Sequence, residues 1–414
     1  VLPFADLLQT AIGYARDGFP VTARLARWIR DTAPEFTNEP EWRTIFVPSG
    51  EAPRAGAKIV NADLARTLGA IADRGCAGFY EGEVARELAR VASERGGVFD
   101  TQDLAAQPAF AQWGDAIRGT YRGVTLYETP PSTQGFTVLE MLALLEPMEL
   151  HRMDYLGADH VHLMVQAKQI AYHDRDRWLA DPAFGHVPID RLLSPSYLDG
   201  RRSIIDRKRA LAWDQVPSDG SLSGDTVYIS VVDAMGNAVS LIHSLYGVFG
   251  SGVVAGSTGV VMQNRAAYFS LDPAHPNRLE PGKVPLHTLI ASLAFRNDRL
   301  WASVGCMGAD GQPQIHLQTY VAMIDFERDI QEALEAPRWL SGRFALGEPR
   351  DTLHVESRFP AGTLDELARR GHTLDRWGTW NELAGHAHGI TIDERSGVRA
   401  GGADPRSDGA AIGY

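Results

Sequence analysis

The strongest constraint in this sequence is the order in which two hydrophobic periods occur. The first half recurs at helical spacing, and beyond residue 225 the apolar residues mostly alternate as in strands. "NADLARTLGAIADRG" puts Leu64, Leu68 and Ile71 on one face, with Asn61 as a cap and Gly75 as a stop. "GEVARELARVASERGG" repeats the design with Val84, Leu88 and Val91 and stops at Gly96-Gly97. Residues 135–148 and 159–181 carry two more helical patterns, and "YRGVTLYETPP" (121–131) interrupts them as a strand. After the one clear linker, about 207–225, "TVYISVVD" and "NAVSLIHS" alternate, and the Gly-Asn between them suits a tight hairpin. "GVVMQN", "SLAFRNDRLWASVG", "TLHVES" and "GITIDERSGVRAGG" are further strand candidates, while 315–339 and 360–371 read as helices. Helices on one side and hairpin-linked strands on the other predict layered α+β rather than βαβ units.

Composition narrows the function classes. The 414 residues are 44% hydrophobic with a net charge of −12, which disfavours a nucleic-acid partner. "RRSIIDRKRA" (201–210) is the densest basic stretch and reads as a solvated segment. Cys76 and Cys306 lie far apart and give neither metal spacing nor a disulfide framework. No apolar stretch is long enough to span a membrane. The chain opens on Val1 without a charged leader and cleavage site, so no signal peptide is visible. A cytoplasmic location is the expectation, and a periplasmic one is the alternative. There is no P-loop and no dinucleotide fingerprint, and no cofactor is expected. His386 and His388 in "GHAHGI" would share a strand face, but no third ligand presents itself, so no metal is expected.

Several motifs then fall in order. "YRG" (121–123) precedes "PPSTQG" (130–135), and "AYHDRDRWLADP" (171–182) follows. "SVVDAMGNAV" (230–239) forms the hairpin, "FGSGVVAGSTGVVMQN" (249–264) is studded with glycine, and the chain closes on "DPRSDGAAIGY" (404–414). Over essentially its whole length the chain resembles the gamma-glutamyltranspeptidase family of N-terminal-nucleophile hydrolases. The resemblance implies an α+β fold in the form of a four-layer αββα sandwich. It implies a large chain, 1–225, and a small chain, 226–414, that associate after cleavage as one domain. Members of the family carry a further segment ahead of the position matching Val1, which supplies an Arg for the substrate carboxylate; no such residue can be named here.

The family cuts itself immediately before a Thr, and the matching position is Thr226, which follows Asp225. A hydroxyl needs an adjacent base to act as a nucleophile. The α-amine freed by cleavage supplies one, with a reference pKa of about 8. Two successive Thr are common at this place in the family, and here Thr226-Val227 leaves one candidate. The family's second hydroxyl, which holds the nucleophile, falls at Ser244. Its oxyanion-binding backbone pair falls at Gly308 and Ala309, and backbone donors do not depend on side chains.

The departures bear on the substrate. The positions that hold an α-ammonium in gamma-glutamyl enzymes are Tyr246, Arg265 and Tyr268 here, so an ammonium meets a cation and no carboxylate. The Ser-Ser pair for the α-carboxylate becomes His287-Thr288, both still able to donate, and Arg265 adds a fork suited to a carboxylate. The expectation is a self-processing Thr amidohydrolase for a small anionic amide, with oxamate the first to test. A gamma-glutamyl transferase, an acylase for larger side chains and a catalytically degenerate member are the alternatives. The expected partners are the small amide and the two cleaved chains for each other, with no nucleic acid or membrane; homodimerisation of the processed unit is left open.

Overall fold

A computed structural model describes residues 2–212, 225–344 and 349–414. The expected linker therefore lies mostly outside the described residues. The chain packs as two compact units, Val1–Gly114 with Leu245–Asn264, and Asp115–Ser244 with Arg265–Tyr414. The expected division at 225/226 is one of covalent processing, and the packing boundaries fall elsewhere.

The smaller unit is mainly helical. Its longest helices are α1 (Phe4–Asp17), α2 (Ala62–Arg74) and α3 (Gly82–Glu94). Asn61 caps α2 by accepting from the Leu64 N–H, and Gly75 follows the last turn with φ 60°. The expected face of α2 is partly buried and is flanked on either side by a fully buried residue. Ala65 and Thr67 are buried, while Leu64, Leu68 and Ile71 are only partly so. Residues 256–259 dock there: Thr67 Oγ1 donates to the Thr258 carbonyl at 2.8 Å and Asn61 Nδ2 to that of Gly259 at 2.9 Å. In α3 the expected Val84, Leu88 and Val91 are buried. The "GVVMQN" stretch forms no regular strand, only a bridge from Val261 to Val254. The glycines of the wider 249–264 stretch serve close approach instead. A Cβ on Gly252 would lie 2.2 Å from the Phe36 ring, at φ 74°.

The larger unit is built on strands β1 (Ile117–Tyr121), β2 (Val124–Glu128), β3 (Asp225–Val232), β4 (Ala238–Tyr246), β5 (Ala291–Arg296) and β6 (Arg299–Met307). Then come β7 (Trp339–Ser341), β8 (Thr352–Val355), β9 (Thr373–Arg376), β10 (His386–Ile392) and β11 (Arg399–Ala403). Six strands form one antiparallel sheet in the order β11-β10-β6-β5-β2-β1. A smaller sheet runs β9-β8-β7. Asn297 and Asp298 turn β5 into β6 with φ of 49° and 59°, the left-handed pair a two-residue hairpin requires.

Helices α4 (Gly135–Leu145), α5 (Ala158–Trp178) and α6 (Gln312–Asp325) pack together on one face of the large sheet and are buried along most of their length. The expected helix over 315–339 breaks into α6 and α7 (Ile330–Glu335) because Asp329 and Glu332 form a reciprocal capping box.

The β3–β4 hairpin lies on the opposite face, against β6 and β10. Its alternation is inverted relative to an ordinary strand. Thr226, Tyr228 and Ser230 turn inward, while Val227, Ile229 and Val231 are 57%, 48% and 47% exposed. The inward face is polar because it is bonded. The Tyr228 hydroxyl pairs with Ser240 Oγ at 2.7 Å and Ser303 Oγ at 3.2 Å, and Ser230 donates to Ser303 at 2.7 Å. The Tyr228 ring lies flush on Gly305, where a Cβ would sit 2.1 Å from it. Within this unit the layers are therefore helices, a six-stranded sheet and a hairpin sheet, the α+β layering expected.

Candidate active site

The site begins with hairpin register. Asp233 donates its N–H to the Asn237 carbonyl at 3.0 Å, and Gly236 takes φ 86°, closing the turn. That register brings Thr226, first on the inward face of β3, opposite Ser244 near the end of β4. Thr226 Oγ1 donates to Ser244 Oγ at 3.0 Å. The contacts Ser230–Ser303 and Tyr228–Gly305 run up β3 in the opposite sense to β6. They carry Thr226 toward the end of β6, where Gly308 and Ala309 begin a short 3-10 turn (Ala309–Gly311) leading into α6. Gly308 has φ 149° and Ala309 φ 44°, both outside ordinary strand or helix space.

Arg265 opens a second 3-10 turn, Arg265–Tyr268, and is only 5% exposed. Its Nη1 donates to Thr288 Oγ1 at 2.7 Å, and its Nη2 reaches Ser244 Oγ at 3.5 Å. One buried cation is thus a single hydroxyl away from Thr226. Residues 287–288 are pinned to the 130–135 turn: the His287 N–H donates to the Ser132 carbonyl at 2.8 Å, and the His287 carbonyl accepts from the Gln134 N–H at 3.1 Å. Burial and the neighbouring Arg265 push the His287 imidazole down to about 4. It is therefore neutral at pH 7 and can hydrogen-bond without adding a second cation.

Thr226, Ser244, Arg265 and Thr288 thus lie on one hydrogen-bonded path, with His287 next in sequence. Asp225 opens β3, so the Asp225–Thr226 bond lies in extended backbone. Tyr246 ends β4 with φ 76° and is the second residue of the 245–264 segment of the smaller unit. Tyr268 donates its hydroxyl to Asp310 Oδ2. Sequence reasoning missed three buried polar residues around the turn, although Gln134 and Arg175 stand inside quoted motifs and Asp310 directly follows Ala309. Gln134 Nε2 donates to both the Thr288 carbonyl (2.8 Å) and the Ala309 carbonyl (3.0 Å). Arg175 donates to Gln134 Oε1 at 2.7 Å and pairs with Asp310. Asp310 also amends the expectation that no carboxylate remains nearby. One is present, but it is matched by the Arg175 guanidinium and the Tyr268 hydroxyl.

The two strand histidines do not form a ligand set. His386 pairs across to Met307, and His388, opposite Gly305, packs its ring against Gly409. Among the described residues no group of three or more His, Cys, Asp and Glu is placed to hold a metal ion. No helix among them is long and apolar enough to cross a membrane.

The layered α+β fold is that of the N-terminal-nucleophile hydrolases, among which its structural neighbours fall. The gamma-glutamyltranspeptidase family profile matches residues 1–414, and the chain belongs to that family. It is 37% identical to the glutathione hydrolase-like YwrD proenzyme of Bacillus subtilis, over 100% of this chain and 77% of that one. It is 38% identical to the oxamate amidohydrolase proenzyme of Klebsiella pneumoniae, over 100% of this chain and 76% of that one. Its fold matches the cephalosporin acylase from Bacillus halodurans with a TM-score of 0.89 and 35% identity, covering 100% of this chain and 75% of the acylase.

Proposed function

We propose that this chain is a proenzyme that cuts itself between Asp225 and Thr226 and then hydrolyses a short amide carrying an anion, with oxamate the first candidate. The observation that carries the reading is the buried Arg265 guanidinium, bonded to Thr288 and reaching the hydroxyl that accepts from Thr226. A carboxylate held by Arg265 and Thr288 leaves its neighbouring carbonyl carbon close to Thr226. A γ-glutamyl α-ammonium in the same place meets a desolvated cation.

In the precursor, Thr226 Oγ1 attacks the Asp225 carbonyl. The N→O acyl shift gives an ester, and water releases residues 1–225 from the small chain beginning at Thr226. The freed α-amine is then the base for its own hydroxyl. In turnover the hydroxyl adds to the oxamate amide carbon. The Gly308 and Ala309 N–H groups receive the oxyanion, and ammonia leaves with the proton the amine has taken. Water cleaves the resulting oxalyl ester and releases oxalate. The 38% identity to a protein named as an oxamate amidohydrolase supports this choice of first substrate. The test is ammonia and oxalate release from oxamate by purified, processed protein. Efficient cleavage of a γ-glutamyl anilide with oxamate left untouched contradicts the pocket reading. A chain that stays uncut and turns over neither is a degenerate member.

A further inference from the structure

We propose that Gln134, Arg175 and Asp310 are positioning residues that fix the separation between the oxyanion turn and the Arg265–Thr288 pair, and so set the acyl length the site accepts. The inference rests on the assignment of Thr226 and Arg265 under Proposed function.

Gln134, Arg175 and Asp310 are each 1% exposed or less. Burying such groups is costly unless every one is paired, and apolar residues of similar volume would stabilise a core at least as well. Where their bonds end is therefore informative. A single nitrogen, Gln134 Nε2, holds the carbonyls of Thr288 and Ala309, the two segments that carry the anion partner and the oxyanion donors. Those carbonyls can move apart by no more than one amide can span. Arg175 fixes the Gln134 carbonyl oxygen, which settles which end of the amide faces them, and grips Asp310 with the same Nη1. Asp310 in turn accepts from Tyr268, in the turn that begins with Arg265, whose guanidinium lies 5.7 Å from the Tyr268 ring. The Tyr172 hydroxyl holds the Asp310 backbone carbonyl. The circuit closes: Arg265, Thr288, Gln134, Arg175, Asp310, Tyr268 and back to Arg265. It also holds Ala309 in left-handed backbone that a non-glycine residue seldom adopts. The bonds described for the three buried side chains run to the two segments and to the Tyr268 hydroxyl, so their action is through geometry.

A loosened circuit should harm most the substrate with least slack. The two-carbon oxamate needs its carboxylate and its oxyanion held at one separation, whereas four- and five-carbon monoamides can bend. The experiment compares processed wild type with Gln134→Met, which keeps the length and loses both donor bonds, on oxamate, succinamate and glutaramate. The expected result is a loss of about a hundredfold in kcat/KM for oxamate, mostly in kcat, with the longer amides losing less than about tenfold. Tyr268→Phe, which removes one hydroxyl and tolerates folding better, should shift the same ratio severalfold in the same direction. Equal losses across the series in both variants, or a changed melting temperature with an unchanged ratio, would overturn the proposal. A wild type that prefers glutaramate to oxamate overturns the substrate reading instead, and the variant-to-wild-type ratio still decides this one.

Discussion

Two buried ionic clusters in the larger unit look alike by composition and differ in where they end. One is the Gln134–Arg175–Asp310 group. The other joins Arg338, Glu356, Asp404 and Arg406 at the end of the chain. There Arg406 donates to Glu356 at 2.7 Å and to Asp404 at 3.0 Å, and Arg338 meets Asp404 at 2.8 Å. Its arginines also donate to the backbone carbonyls of Leu334, Ala336, Ala384 and Gly385, and its carboxylates accept from Arg358 and from the N–H groups of Arg338, Asn381, Ala387 and Arg406. They tie α7 and the turn before β10 to the closing residues. The first cluster instead ends on Thr288, Ala309 and the Arg265–Tyr268 turn. Burial and full pairing are common to both, so neither property marks a site; the destination of the bonds does.

Substitutions can break or sharpen that contrast. The largest expected effect is on stability, at the chain-end cluster. Arg406→Met removes one of two guanidinium partners from each carboxylate, leaving Arg358 on Glu356 and Arg338 on Asp404, and should cost about 3 kcal/mol. Chemical denaturation measures it, and any folded fraction should keep the wild-type ratio of oxamate to glutaramate turnover. Next comes Arg265→Lys, which keeps the charge but loses the fork. It should raise KM for oxamate about tenfold to a hundredfold, with little change for a neutral amide, in steady-state kinetics. A smaller effect belongs to buried histidines. Burial pushes His160 and His372 down to about 3, and burial with Arg265 pushes His287 to about 4. Below about pH 6.5 the unfolded chain binds protons that these rings refuse, so their contribution to stability falls as pH drops from there toward 4 and is constant above. His160→Gln should flatten the slope between pH 6 and 5 by up to about 1.4 kcal/mol per pH unit, read from denaturation midpoints.

Much of the scaffold was legible because its signals are local. Asn61 and Gly75 bound a helix, Gly236-Asn237 turns a hairpin, and Thr226 meets Ser244 because two alternating strands share one register. The capping box that splits 315–339 was also present in sequence, as Asp329 and Glu332, and was overridden by the longer apolar pattern. The inverted hairpin could not be read from alternation alone. Period two says that faces differ, not which faces inward, and Tyr228 on Gly305 decides that. The positioning circuit was least legible. Arg175 meets Gln134 from 41 residues away and Asp310 from 135. Such a pairing is set by the packing of α5 against the turn before α6, not by any local pattern.

The central claim is that Thr226 is a concealed N-terminus. Mass spectrometry with N-terminal sequencing of the purified protein tests it most directly. The account predicts a small chain beginning Thr226-Val227-Tyr228, which Thr226→Ala abolishes. Wild-type protein with an intact Asp225–Thr226 bond under conditions where it hydrolyses oxamate would contradict it.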